Sequence, residues 1–130
     1  MSNHRVGAVL FTIHLRELAG FYERVAGMRV LRTENDHVVL ESGSFRLIVH
    51  QIPDRHANGI VITAPPVVRD RTAIKLSFCV DSISSSRQTA AELGGLVYGP
   101  EREWRYESTT VCDGYDPDGN VFQLFQAEEG

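Results

Sequence analysis

The sequence has few cysteines and few of the features that mark secreted proteins. Its 130 residues include two cysteines, Cys79 and Cys112, which lie far apart and form no CxxC pair. Two such residues are too few for a disulfide framework, so we expect two buried free thiols in a reducing compartment. No charged leader with a small-residue cleavage site precedes the first apolar segment. The sequence therefore predicts a cytoplasmic protein.

Long apolar runs and concentrated basic charge are also missing. The longest apolar stretch near the start, residues 6–13, is much shorter than the roughly 20 residues of a membrane-spanning helix. Thirteen basic and 17 acidic residues give a net charge of −4, and the arginines are spread along the chain. Nucleic acids and anionic membranes both attract concentrated basic surfaces. We therefore expect neither of them as a partner.

The first part of the chain predicts one strand, one helix and three further strands. Residues 6–13 have the composition of a buried strand, and the following apolar residues recur at helical spacing as far as Gly27. Strands are predicted at 28–31, 37–41 and 45–51, separated by turn-forming residues. The predicted apolar face of the helix consists of Leu15, Leu18, Phe21, Tyr22 and Val25.

The same order recurs in the second part. A strand at 74–80 precedes a helix at 83–93, which Asp81 and Ser82 can cap. Further strands are predicted at 96–98, 104–113 and 120–126.

A shift of 67 positions relates the two parts and indicates an internal duplication. We predict a single α+β domain, 1–130, made of two β-α-β-β-β repeats at about 6–51 and 73–126. Their mixed sheets would curl around a shared concave pocket, a natural place for a ligand. The shift aligns Phe11 with Phe78, Ile13 with Val80, Gly27 with Gly94, and Val30 with Val97.

The connecting segment, 52–72, is long for a loop in a compact domain. Its apolar residues 60–62 predict a short strand that covers the pocket or a partner subunit. The alternative is a surface linker between the repeats.

Two motifs resemble the vicinal-oxygen-chelate superfamily, which includes glyoxalases, bleomycin-resistance proteins and dioxygenases. Residues 18–28, LAGFYERVAGM, look like the end of its first helix, and residues 116–124, DPDGNVFQL, look like its last turn and strand. In this turn, Pro117 presets φ and Gly119 permits a positive φ. With the duplicated order, the resemblance covers nearly the full chain.

The resemblance implies four metal-ligand positions, one on each of four strands, but this chain does not place metal ligands there. Divalent ions of this class prefer imidazole nitrogen and carboxylate oxygen. We therefore expect no cofactor, and a single divalent metal if there is one. The four positions fall at Gly7, Ala8 or Val9, then at Ile48, Lys75 and Gln123.

Six residues are candidates for the ligand pocket. His50 would share a strand face with Ile48, either as a hydrogen-bonding or acid–base group or as an ordinary strand histidine. Lys75 would bind a carboxylate or phosphate, or form a structural ion pair. Trp104 suits a planar ligand or a dimer surface. The full set is Ile48, His50, Lys75, Trp104, Tyr115 and Gln123.

Three functions agree with these observations. The first is a metal-independent, homodimeric small-molecule-binding protein, similar to the antibiotic-sequestering branch, with an acidic or antibiotic-like ligand. The second is a lyase, isomerase or dioxygenase with an atypical or metal-free site, in which His50 joins an unplaced acidic residue on a metal, or His50 or Lys75 acts as the base. The third is an interaction protein whose pocket is closed by Trp104 and Tyr115.

Overall fold

The computed structural model describes residues 6–128, and its first repeat has the predicted β-α-β-β-β order. The predicted domain also includes residues 1–5 and 129–130, which lie outside the described residues. The elements of the first repeat are β1 (Val6–Thr12), α1 (Leu15–Val25), β2 (Arg29–Thr33), β3 (His37–Ser42) and β4 (Phe45–Gln51).

The second repeat has the same order with one additional strand. It follows a short helix, α2 (Asp54–Ala57), and a long connecting loop. A single 3₁₀ turn, Pro100–Arg102, lies before β7. The elements are β5 (Leu76–Cys79), α3 (Ile83–Glu92), β6 (Leu96–Val97), β7 (Trp104–Tyr106), β8 (Thr109–Tyr115) and β9 (Val121–Ala127).

The prediction of one strand over 104–113 is wrong, because this segment folds back on itself. β7 and β8 pair antiparallel, with Tyr106 opposite Thr109. The turn is made by Glu107, at φ 55°, and Ser108. A non-glycine residue with positive φ is uncommon, and the segment lacks the Asn-Gly or Asp-Gly signal of a tight hairpin.

Each repeat forms one mixed sheet. The first sheet has the order β1-β4-β3-β2, with β1 parallel to β4. The second has the order β5-β9-β8-β6, with β5 parallel to β9. β7 pairs with the same edge of β8 as β6 does, but nearer the start of β8. These two modules confirm the predicted α+β class and repeat architecture.

One hydrophobic core joins the two repeats. All five residues of the predicted apolar face of α1 are buried. Tyr22 of α1 is in the middle of an aromatic cluster and contacts Phe21 of α1, Phe78 of β5 and Phe122 of β9, with ring centroids 5.4–6.0 Å from its own. Each sheet therefore has one face packed against the helices. We call the opposite face of each sheet its open face.

The predicted shift of 67 positions is wrong for the first strand of each repeat. It aligns Phe11, which is 61% exposed, with Phe78, which is 2% exposed. The buried positions Thr12 and Val80 are 80 − 12 = 68 positions apart. The shift of 67 holds at the helix ends, where Gly27 and Gly94 both have positive φ. The difference arises because α1 has 11 residues and α3 has 10.

The connecting loop contains no strand at 60–62, contrary to the prediction, and Val61 is exposed. Three apolar residues alone could not form a strand without a neighbouring strand to pair with. The later part of the loop is anchored to the second repeat, since the backbone N–H of Arg69 donates to the carbonyl of Gly119 at 2.9 Å.

The two cysteines are free thiols, but only Cys112 is buried; Cys79 is exposed, contrary to the prediction. Cys79 lies in β5 on the face away from the helices, because its neighbour Phe78 points into the core. No helix within residues 6–128 is long and apolar enough to cross a membrane.

The turn between β8 and β9 connects the repeats through buried polar groups. Asp116 accepts hydrogen bonds from the hydroxyl of Tyr22 at 2.6 Å and from the backbone N–H of Asp118 at 2.9 Å. Thr12, at the end of β1, donates to Asp118 at 2.6 Å. Burial raises the pKa of the Asp116 carboxyl and raises the pKa of the Tyr22 hydroxyl well above its ordinary value.

Replacing Tyr22 with Phe should destabilise the protein by about 1–3 kcal/mol at pH 8, because the buried Asp116 carboxyl loses a donor. Above a pH of about 10, the difference in stability between the wild type and Tyr22→Phe should become smaller. There the unfolded wild type loses the Tyr22 proton while the folded chain keeps it, so the wild type loses stability as pH rises and Tyr22→Phe lacks this loss. Urea unfolding of both proteins at pH 8 and pH 10.5 measures the difference in their free energies of unfolding. The same difference at both pH values would contradict a Tyr22 hydroxyl that stays protonated in the folded chain.

Replacing Gly119 with Ala should destabilise the protein by about 2 kcal/mol or more. Gly119 has φ +88°, and a Cβ would lie 2.1 Å from the carbonyl oxygen of Val67. The matched control is Gly20→Ala in α1, where an added Cβ meets nothing within 4 Å. This change should stabilise by up to about 1 kcal/mol, because alanine favours helix. Denaturant unfolding measures the stability of both variants. If both changes stabilised the protein, or both destabilised it, the close packing of the loop against the turn would be refuted.

Candidate functional site

Strand β4 presents Ile48 and His50 on the open face of the first sheet. Leu47 and Val49 are fully buried in the core, and side chains alternate along a strand. The structure therefore gives His50 the predicted orientation, on the same face as Ile48.

His50 lies within a polar cluster at one end of this face. Its ring stacks on that of His37, with centroids 5.7 Å apart and planes 9° apart, and the ring of Phe11 lies 5.9 Å away on the other side. His37 Nδ1 lies 2.7 Å from Asp36 Oδ1, and this hydrogen bond lowers the pKa of the Asp36 carboxyl. Asp36 Oδ2 lies 3.8 Å from His50 Nε2.

Lys75, Trp104 and Gln123 lie on the open face of the second sheet. The ammonium of Lys75 donates to both carboxylate oxygens of Asp113, at 3.0 and 3.1 Å, and lies 6.0 Å from the Trp104 ring. Gln123 donates to the hydroxyl of Ser77 at 2.9 Å. Lys75 is thus held in a partly exposed ion pair, the structural role that the sequence left open for it.

Tyr115 lies at the edge of the second face. Strand alternation gives it the same side of β8 as Asp113, and its ring lies 6.2 Å from that of Tyr98. An aromatic edge of this kind offers an apolar wall beside the Lys75–Asp113 pair.

The six candidate residues form two groups. Ile48 and His50 lie on the first sheet, and the other four lie on the second. Within residues 6–128, no hydrogen bond or ring contact joins the two groups. Of the six residues, Gln123 lines a cavity of about 310 Å³, together with Ser77, Val111 and Phe125.

A second cavity, of about 250 Å³, lies where the two repeats meet. Val9 of β1 and Val121 of β9 line it, together with Arg69 and Thr72 of the connecting loop and Ile74 just before β5. The end of the loop therefore forms part of a cavity wall, whereas residues 60–62, which were predicted to cover the pocket, do not line this cavity.

Arg46 is a candidate that the sequence analysis missed. It lies in β4 two positions before Ile48 and lines a cavity of about 270 Å³ with Leu31, Arg32 and Val39. Its buried Nε has no hydrogen-bond partner among residues 6–128. The alternation that identified His50 also places Arg46 on the open face, so the signal was present in the sequence.

The residues at the expected metal-ligand positions do not fit a divalent metal. Val9 is paired with Ile48 in the first sheet, and Ser77 with Gln123 in the second. Position 77, not Lys75, is thus the structural counterpart of position 9. Two aliphatic side chains, a hydroxyl and an amide do not supply the imidazole and carboxylate donors that such an ion requires.

Cys112 has the properties of an unreactive thiol. Burial raises its pKa, although Arg87 lies nearby, and its sulfur donates to the carbonyl of Tyr98 at 3.1 Å. A protonated buried thiol is a poor nucleophile, so Cys112 does not contribute to the candidate sites.

A family model described as a glyoxalase-like domain matches residues 8–125. No curated protein matches the sequence significantly. Among solved structures, a glyoxalase/bleomycin resistance protein/dioxygenase family enzyme from Burkholderia phytofirmans is 14% identical, with TM-score 0.66, covering 96% of this chain and 99% of that one.

Two further structures show the same fold. An integron cassette protein from V. cholerae is 20% identical, with TM-score 0.62, over 96% of this chain and 95% of that one. The fosfomycin resistance protein FosX from Listeria monocytogenes is 12% identical, with TM-score 0.64, over 98% of this chain and 96% of that one. At these identities the similarity concerns the fold.

Proposed function

Because the chain belongs to the glyoxalase-like domain family, within the vicinal-oxygen-chelate superfamily, we propose that it binds a small acidic molecule without a metal at the family's four ligand positions. The observation that carries this proposal is the donor set, Val9, Ile48, Ser77 and Gln123, which cannot coordinate such an ion. Binding then relies on shape, aromatic surface and fixed charge. The fosfomycin resistance protein among the similar structures supports an antibiotic-like ligand class.

Charge on the second open face favours an anionic group beside Lys75. Its ion pair with Asp113 is partly exposed, so an incoming carboxylate or phosphate can share the ammonium. Trp104 and Tyr115 supply aromatic walls, and Gln123 supplies both a donor and an acceptor.

We propose a cytoplasmic homodimer in which the first sheet of one protomer faces the second sheet of its partner. This arrangement brings Ile48 and His50 to the group around Lys75, from which they are separated within one chain. β1 is an edge strand with Val9 51% and Phe11 61% exposed. An apolar edge strand of this kind is costly to leave in water and is suited to an isologous contact.

Ligand binding should persist in EDTA and should depend on the charge of the second face. Trp104 is the only tryptophan in the chain, so its fluorescence reports on this face directly. We expect a screen of fosfomycin, small carboxylates and phosphate esters to give a saturable fluorescence change in excess EDTA. Trp104→Phe should abolish this signal while calorimetry still detects binding.

Two substitutions with opposite effects identify the anion subsite. Lys75→Met should weaken binding of the acid found in the screen, whereas Asp113→Asn should strengthen it roughly two- to fivefold by removing the competing carboxylate. Weakening by both variants would show that the ion pair only maintains the structure. Binding that disappears in EDTA would overturn metal independence.

Replacing Phe11 with Glu should convert the dimer to a monomer at micromolar concentration, because the interface would have to desolvate a carboxylate in place of an aromatic ring. The matched control is Val61→Glu, which changes another exposed apolar residue, in the connecting loop, and should leave the dimer intact. Light scattering with size-exclusion chromatography measures the mass. A wild-type monomer, or dissociation by both variants, would rule out this interface.

The second candidate function is a lyase, isomerase or dioxygenase with an atypical centre. The observation that favours it is the Asp36 carboxylate, 3.8 Å from His50 Nε2, which we propose as the acidic partner that the sequence left unplaced. A centre of this kind would use neither Ile48 nor Gln123 as a ligand.

A further inference from the structure

The pair formed by His37 and His50 has the geometry of a cross-strand chelate. The two residues lie directly opposite each other in the antiparallel ladder of β3 and β4. The backbone N–H of Gln51 donates to the carbonyl of Asp36 at 2.8 Å, so the histidines occupy a non-hydrogen-bonded position. Opposite Cα atoms are there only about 4.5 Å apart, and side chains on one face approach closely.

The tautomer of the neutral His50 ring leaves Nε2 free to bind an ion. Nδ1 lies 2.9 Å from the carbonyl oxygen of Gln51. A carbonyl oxygen can only accept, so Nδ1 carries the proton and the neutral ring has its lone pair on Nε2. A backbone carbonyl that fixes the tautomer and orientation in this way is a typical second partner of a metal-binding histidine.

Asp36 supplies a third ligand group on the same side. One ligand atom from each of Asp36, His37 and His50 can be chosen so that all lie within 4.8 Å of one another. Ligands on a tetrahedral ion with bonds of 2.0–2.1 Å are about 3.3 Å apart, so small side-chain rotations suffice. The backbone positions are already fixed, since Glu34 N–H also donates to the carbonyl of His37 at 2.8 Å.

We infer that Asp36, His37 and His50 form a binding site for a divalent transition metal ion of the zinc, nickel or copper class. Two imidazoles and one carboxylate match these ions, whereas calcium and magnesium require mainly oxygen ligands. Asp36 is exposed and both histidines are half-buried, so an ion can enter from solvent. Three protein ligands leave a coordination position open for water or an external ligand.

This site differs from the usual metal position of the superfamily. His50 lies two residues beyond Ile48, and none of its three ligands belongs to the second repeat. A single chain therefore contains the complete site, with or without a partner protomer. The site shares His50 with the ligand pocket of the proposed dimer, but the two proposals are tested separately, because ligand binding is measured in EDTA.

The experiment measures binding of zinc alone to tag-free protein that was treated with EDTA and then desalted. Competition with a chromogenic chelator should give one zinc ion per chain. Asp36→Asn, His37→Gln and His50→Gln should each weaken the affinity by about 100-fold or more, since a ligand is lost rather than only a supporting hydrogen bond. The matched control is His56→Gln on the exposed helix α2, which should bind as the wild type does.

Cobalt provides a second readout that does not depend on affinity. The visible spectrum of the cobalt-loaded wild type should show bands of a nitrogen- and oxygen-ligated ion, and His50→Gln should change them. Far-UV circular dichroism confirms that each variant is folded.

Two outcomes would overturn the inference. One is that the wild type binds zinc no more tightly than His50→Gln does. The other is one-to-one binding that all three variants retain, which would place the ion elsewhere. Neither outcome affects ligand binding in EDTA, so the failure of this site is distinguishable from the failure of the proposed function.

Discussion

The buried hydrogen bond between Tyr22 and Asp116 is the interaction on which the arrangement of the two repeats depends. Its hydroxyl comes from the first helix and its carboxylate from the turn before the last strand. Burying a carboxyl is costly unless donors surround it, and here the same turn supplies them through its own backbone. The apolar rings packed around Tyr22 hold the donor in place. Polar satisfaction and aromatic packing thus fix the same contact between the repeats.

The helices and their buried faces could be predicted because apolar residues recur at the helical period and glycines mark the ends. The first strand was harder. Apolar residues lie on both faces of residues 6–13, so the sequence does not distinguish the exposed Phe11 from Leu10, which packs partly buried against the core. The hairpin after Tyr106 was missed for a different reason, since Glu107 adopts a backbone conformation that its type rarely has.

In the candidate site too, some features could be predicted from the sequence and others could not. Strand alternation alone predicted the orientation of His50 and contained the signal for Arg46. Pairing between strands decides the partners, and one sequence does not give it: Asp113 beside Lys75, Ser77 beside Gln123, and Asp36 beside His50. Each of these partners is polar and lies in a strand or turn, where polar residues are common without any site.

The two sheets carry opposite polarity at matching positions. The row Phe11, His50, His37 in the first sheet corresponds to Cys79, Phe125, Val111 in the second. The next row reverses this, with Val9, Ile48, Val39 matching Ser77, Gln123, Asp113. Equivalent positions of the two repeats therefore hold different chemistry, two imidazoles in the first sheet and a charged pair in the second. One repeated backbone plan thus gives the chain two chemically distinct surfaces.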